Sequence, residues 1–363
     1  MKKLLAIMLS LTMVFSCLVF TACDNSADYK GDYSKEITAD DLKGFIEKVN
    51  ANTAIVQKAD KVVTFGMDGG LDIEGEIAID TMSLKLKTEN DLKVRANFSD
   101  EKKEDSFVTA SFETNSEATL KGEVPAKLTA ANEGNERNAI ATIGLSLLKS
   151  VMNKTAKEKA SIILDKDGTV YVDGEASFDK ALSSKAKIAV TIPQIKEAVQ
   201  TEGVSAKITD GIAGALAMVK AAPAEVATSV IAMAKGYGIK IYFDGSNGYK
   251  FKIETTEETL KLVKTALGIK DGDKFNVNAT AYLIFDDVCR LKCAKIEAET
   301  DFDFKLPAYE DMSFKGKFKA KLEIVANNSE ISAPKNTGDY LKFEIPSFGD
   351  EEPEDGDYFE EEV

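Results

Sequence analysis

The chain contains no histidine and no tryptophan. Without histidine there is no Ser-His-Asp or Cys-His nucleophile, no His-ligated zinc, no HExxH helix and no haem held by imidazole. Most hydrolase and metalloenzyme chemistries are excluded with it. Basic charge is also short: Lys+Arg 46 against Asp+Glu 61 leaves a net charge of -15. No segment is densely basic, so no nucleic-acid partner is expected. Carboxylates are plentiful, and a glycosidase needs only two. Here they alternate along strand faces or crowd the C-terminus, and no pair stands out. Neither an enzyme nor a cofactor is expected. What is present is apolar material, 44% of 363 residues, enough for one large domain or two ordinary ones.

The N-terminus is an address. Lys2 and Lys3 precede an apolar run from Leu4 to Phe20, and small residues follow. This is the pattern of a secretory signal over residues 1–22; an uncleaved spanning anchor is the alternative. Phe20-Thr21-Ala22-Cys23 resembles the lipobox of bacterial lipoproteins, with Phe20 in place of the usual Leu. The resemblance implies cleavage between Ala22 and Cys23 and a diacylglycerol on the Cys23 thiol. Such a protein sits on the extracytoplasmic face of a membrane, each buried methylene contributing about 0.8 kcal/mol to anchoring. Polar residues 23–36 follow as a flexible tether.

Cysteine is thin. Cys17 leaves with the signal and Cys23 takes the lipid, which leaves Cys289 and Cys293. Four residues of extended strand span about 13 Å, beyond the roughly 7 Å that a disulfide tolerates between α-carbons. A bridge would need a tight turn, so two free, half-buried thiols are expected.

Along the rest of the chain the hydrophobic period alternates between helix and strand. Thr38 caps a helix to about Lys58, with Leu42, Phe45, Ile46 and Val49 on one face. Leu71 to Ile79 and Met82 to Leu86 alternate with charged or polar residues, and Leu92 to Phe98 repeat the pattern after a turn expected at Glu89-Asn90-Asp91. Phe107 to Phe112 and Ala118 to Glu123 are predicted as two further strands. Such alternation predicts antiparallel sheet with one dry face. A helix is predicted over Asn138 to Asn153, then a hairpin around Lys166-Asp167-Gly168. DKDGTV opens like a calcium loop, but its sixth residue is Val170 where an EF-hand requires glycine. Lys187 to Thr191 leads into a helix opened by Pro193. Residues 205–235 predict two Ala-rich helices broken at Pro223, bearing Ile212, Leu216, Val219, Val226 and Val230. These five are the candidate residues lining an apolar cavity; two well-buried helices are the plainer reading.

Asn247-Gly248 between Ile239–Phe243 and Tyr249–Ile253 is a hairpin signal. A helix capped at Thr255 or Thr256 stops at Gly268. Strands are predicted at Phe275 to Phe285, Arg290 to Phe304, Ser313 to Val325 and Tyr340 to Ile345, before a tail with nine acidic residues and no basic one over 350–363. That tail is expected to be disordered.

The lipobox, the lone N-terminal helix, the hairpin and helix GIKIYFDGSNGYKFKIETTEETLKLVKTALG (Gly238 to Gly268) and the strands after it resemble one group. These are the half-barrel lipoproteins of the mycobacterial LppX/LprG type, related in shape to the LolA and LolB carriers. The resemblance implies a curved antiparallel sheet around an apolar cavity plugged by helices, with a lipid inside. The expectation is therefore an α+β fold over 37–349: a large, half-barrel-like antiparallel sheet with five or six helices on one face. A helical insertion at 138–235 is possible within it. The expected function is a membrane-anchored binder or carrier of a lipid or other apolar ligand. The alternative is a non-catalytic structural or interaction module with a filled core. Oligomeric state and metal binding have no sequence signal.

Overall fold

The computed structural model describes residues 28–51, 62–99, 102–125, 146–179, 182–201, 203, 207, 223–270, 272–287, 289–306, 312–327 and 329–345. Its dominant feature is one sheet. Strands β1 (Val62–Ile79), β2 (Met82–Ser99), β3 (Phe107–Gly122), β4 (Lys154–Leu164), β5 (Thr169–Phe178) and β6 (Leu182–Thr191) form a meander. A second meander comprises β7 (Ile239–Asp244), β8 (Tyr249–Thr255), β9 (Lys274–Phe285), β10 (Leu291–Leu306) and β11 (Met312–Ala326). β11 closes on β1, and β12 (Leu341–Glu344) returns to β6, giving the order β12-β6-β5-β4-β3-β2-β1-β11-β10-β9-β8-β7. The ends do not pair, so the sheet is open and half-barrel-like. All pairings are antiparallel except β12 with β6, which is parallel and corrects the expectation of a wholly antiparallel sheet. The longest strands have 18 residues, about 60 Å of extended chain.

Two strands are longer than their sequence suggests. β2 runs unbroken through Glu89-Asn90-Asp91, paired with β1 on one side and β3 on the other. The Asn90 amide donates to the Leu71 carbonyl and to Thr88 Oγ1, so the side chain that favours turns in isolation supports the ladder here. β3 likewise joins the two predicted strands into one. Both ladders satisfy the backbone, and that overrides local turn propensity.

Among the described residues the sheet is accompanied by helices α1 (Ala39–Ala51), α2 (Pro193–Val199), α3 (Pro223–Gly236) and α4 (Glu257–Leu267). Residues 146–151 are also helical. α1 starts as expected, with Thr38 Oγ1 accepting from the Asp41 amide and Asp41 accepting in return from the Thr38 amide. Its expected continuation to Lys58 lies outside the described residues. α3 opens at Pro223, α4 is capped by Thr256, and Gly268 ends α4 in the left-handed conformation. The sheet, rather than the helices, dominates the molecule.

The core sits under α1. Leu42, Phe45, Ile46 and Val49 meet Phe251, Phe285, Leu291 and Ala326. The Phe45 ring lies 5.0 Å from those of Phe251 and Phe285 and 5.2 Å from Tyr249, at angles favourable for aromatic pairs. Burying each large side chain contributes about 1.5–3 kcal/mol. Ahead of α1, residues 28–36 are strapped to the other side of the sheet. Tyr29 donates to Glu323 at 2.9 Å, and the Tyr29 and Tyr33 rings pack on Tyr282. The chain then pairs with the outer edge of β7, Ile37 donating to Ile241 and Phe243 donating to Lys35. It thus wraps the edge strand, from one face to the other. This covers an edge that would otherwise invite pairing with another chain.

Candidate functional site

The registers run without slip across β1–β6, so alternation assigns each side chain to a face. One row on the inner face, the face that carries α1, reads Ile188, Val172, Ile162, Phe112 and Leu92 from β6 to β2. It continues through Ile324, Ala294 and Leu283 to Phe251 and Phe243. The outer face carries cross-strand ion pairs, among them Glu117–Lys157, Glu175–Lys185, Asp303–Lys315 and Glu299–Lys319. One sheet therefore has a charged face and an apolar face.

The two ends of the apolar face differ. Over β7–β11, α1 and α3 cover its upper part, and Phe285 is 1% exposed. Over β2–β6 and β12 no described helix packs on it. There Leu84, Leu92 and Ile162 are exposed, with Leu182 at 68% and Phe343 at 57%. Large exposed apolar patches of this kind mark binding surfaces. At the lower end of β10 and β11, Phe302 stacks on Phe318 and Phe304 on Phe314. The Phe318 ring lies over Gly75 and the Phe302 ring over Gly316, where any β-carbon would collide.

A polar island interrupts the open half. Thr88 Oγ1 and Ser116 Oγ lie 2.7 Å apart, Asn90 donates to Thr88, and Thr114 adjoins Ser116. Glu158 is the register partner of Ser116. Beside it a depression of about 500 Å³ is floored by Ala118, Ala156 and Ala176 and flanked by Phe178 and Leu182. Small residues between large ones make the hollow. This arrangement can seat an apolar chain beside hydroxyls and one carboxylate.

Two other cavities are polar. One of about 460 Å³ lies at the strap, between Asp28, Lys250, Asp286 and Cys293. The other, of about 610 Å³, lies between Asn97, Lys166, Asp167 and Lys196. Its presence reflects a correction: α2 contacts β3 where Thr109 and Ser111 are buried, and alternation puts those two on the outer face. The helices are not all on one side. Beside the strap, burial pushes the Cys293 thiol up to about 11 and the Tyr33 phenol up to about 12. The Tyr29 phenol is raised as well, first by burial. Partial burial would raise the Glu323 carboxyl, but hydrogen bonds from Lys321 and Tyr29 hold it below its ordinary value. Such groups stay in one protonation state near neutrality and suit a strap better than acid–base work.

Among the candidates from sequence, Val226 and Val230 pack against the covered core. Ala22, Cys23, Ile212, Leu216 and Val219 lie outside the described residues, as do the signal segment, the 350–363 tail and the first part of the helix predicted from Asn138. Cys289 and Cys293 are free and fully buried, deeper than expected. Local sequence rules do not reveal the polar island, because Asn90 favours a turn in isolation. Its signal was there: Leu84, Leu86, Leu92 and Val94 keep one parity through 88 and 90, which a turn would have broken.

No family model and no curated protein matches this chain. Among solved structures, a β-barrel-like protein of domain of unknown function DUF1849 from Brucella abortus aligns at 11% identity. The alignment covers 72% of this chain and 98% of that one, with a TM-score of 0.18. So slight a likeness bears on neither the fold nor the function of this chain.

Proposed function

We propose that this is an extracytoplasmic, lipid-anchored protein that holds an acyl lipid or another apolar ligand on the open half of its inner sheet face. The observation that carries the proposal is the uneven covering of that face: apolar rows cross the whole sheet, and described helices pack on only one end of them. Each acyl methylene buried there gains about 0.8 kcal/mol, so a modest length of chain offsets the ordering cost of binding. The lipobox-like Phe20-Thr21-Ala22-Cys23 supports the anchor. An anchored protein meets lipid at high effective concentration. No described helix is long and apolar enough to cross a membrane.

Native mass spectrometry of the full chain, extracted from the membranes of an expressing bacterium, tests the proposal. A stoichiometric adduct removable by organic solvent is the expected result. A clean mass, unchanged after incubation with phospholipid vesicles, refutes ligand carriage and leaves an acidic structural or interaction module.

A further inference from the structure

The acidic residues of strands β3–β6 lie on the outer face with one exception, and of the four outer ones only Glu113 has no ion pair among the described residues. On the outer face Glu117 pairs with Lys157, Asp173 with Lys187 and Glu175 with Lys185, all at 3.4 Å or less. Glu158 is on the inner face, where its register partners are Ser116 and Ala176. It has no ion-pair partner among the described residues, and its sequence neighbours Lys157 and Lys159 alternate to the opposite side. The other inner-face charge on β1–β6 is Lys154, at the start of β4, whose ammonium lies 5.2 Å from the centre of the Phe178 ring. Glu158 lines the 500 Å³ depression, with the hydroxyl of Ser116 on one side and Ser184 and the apolar flank of Phe178 and Leu182 on the other. Glu158 is exposed in the free chain, so a ligand that covered it would have to balance the charge it desolvates.

We propose that Glu158 is the counter-ion for the head of a cationic amphiphile, one that carries an ammonium on an alkyl or acyl tail. The tail lies on the apolar rows and the hydroxyls of Ser116 and Ser184 accept hydrogen bonds from the head. An anionic head would meet the carboxylate, whereas the lysines at the rim are engaged elsewhere, Lys157 with Glu117 on the outer face and Lys154 over the Phe178 ring. The proposal rests on the apolar-ligand reading above and adds the sign of the ligand's charge.

The test uses the full chain and three probes of one chain length below their micelle concentrations: a primary alkylammonium, an alkyl maltoside and a fatty-acid anion. Calorimetry is expected to rank the cation above the neutral maltoside and the anion last. Glu158→Gln should weaken the cation about fivefold and leave the maltoside unchanged, the scale of a partly exposed ion pair. Because the whole chain has a net charge of -15, a general attraction for cations must be separated. Glu117→Gln removes the same charge from the outer face of the neighbouring strand, and it should leave all three affinities unchanged. An equal loss in both variants, or a wild-type protein that binds maltoside as tightly as the cation, overturns the proposal. Binding of none of the three overturns it together with the ligand-carrying reading, whereas tight maltoside binding alone leaves that reading standing.

Discussion

Strands β7–β11 and strands β1–β6 belong to one sheet and obey the same alternation, yet their inner faces end differently. Over the first group, α1 and α3 descend on Phe251, Phe285 and Leu291 and shut water out. Over the second, Leu92, Ile162 and Leu182 stay exposed. Strand alternation sets which side of a sheet is apolar, but only a second layer makes that side a core. Apolar residues that no layer covers contribute little to stability, so their presence in an ordered row asks for another occupant.

Stability measurements can break this comparison. Phe285→Ala should lower the unfolding free energy by about 3–5 kcal/mol, because a fully buried aromatic ring leaves a cavity. Ile162→Ala, from the same kind of row in the open half, should cost no more than about 1 kcal/mol. Urea titration of the two variants decides it. Equal losses would mean that the β1–β6 face is packed as tightly as the core.

A smaller effect is expected where the halves are joined. Arg95, one of three arginines in the chain, is 4% exposed. Its guanidinium donates to Asp68, to the Met67 and Val94 carbonyls and to Ser329. It clamps the segment after β11 onto β1 and β2. Arg95→Met should cost about 2–3 kcal/mol, less than for a fully buried pair because Asp68 keeps some solvent. A variant as stable as the parent would show that the clamp adds nothing. Gly75→Ala forces the Phe318 ring aside, and overpacking of this kind costs about 1–3 kcal/mol. Near-ultraviolet circular dichroism should register the displaced aromatic stack of Phe302 and Phe318, and an unchanged spectrum would remove that close approach.

Much of the fold was legible in the sequence, and the failures have one cause. Period-2 runs located nearly every strand, Asn247-Gly248 marked the β7–β8 hairpin, and Thr256 and Gly268 bounded α4. Local rules erred where neighbouring strands decided. Asn90 favours a turn alone but sits mid-strand between two ladders, and the short β12 pairs parallel across a gap of about 150 residues that no local pattern spans. The site was less legible. Val226 and Val230 were singled out for their apolar helix, but the open surface belongs to the strands, and Glu158 looked like one more charge on a solvated strand. Which face a residue occupies follows from register, and register is a property of pairs of strands.

The covered half carries a pH dependence set by its two buried thiols. Burial raises the Cys289 and Cys293 thiols to about 11, from an ordinary value near 9. Both therefore hold their protons more tightly in the folded chain than in the unfolded one. Well below pH 9 neither state ionises these thiols appreciably, and their contribution to stability is constant. Between pH 9 and about 11 the unfolded chain loses the protons first, so folding stability falls as pH rises. Denaturant midpoints measured across that window should decline in the parent and decline less in a Cys289→Ala, Cys293→Ala double variant. Accessibility gives the same comparison in another form. At pH 8 the buried thiols should react with iodoacetamide about a hundredfold more slowly than an ordinary cysteine, since only the thiolate reacts. Ala156→Cys places that ordinary cysteine on the exposed floor of the open half. Rapid labelling there, with both native cysteines still reduced and unmodified, would fix the boundary between the covered and open halves. Equal rates at all three positions would erase it.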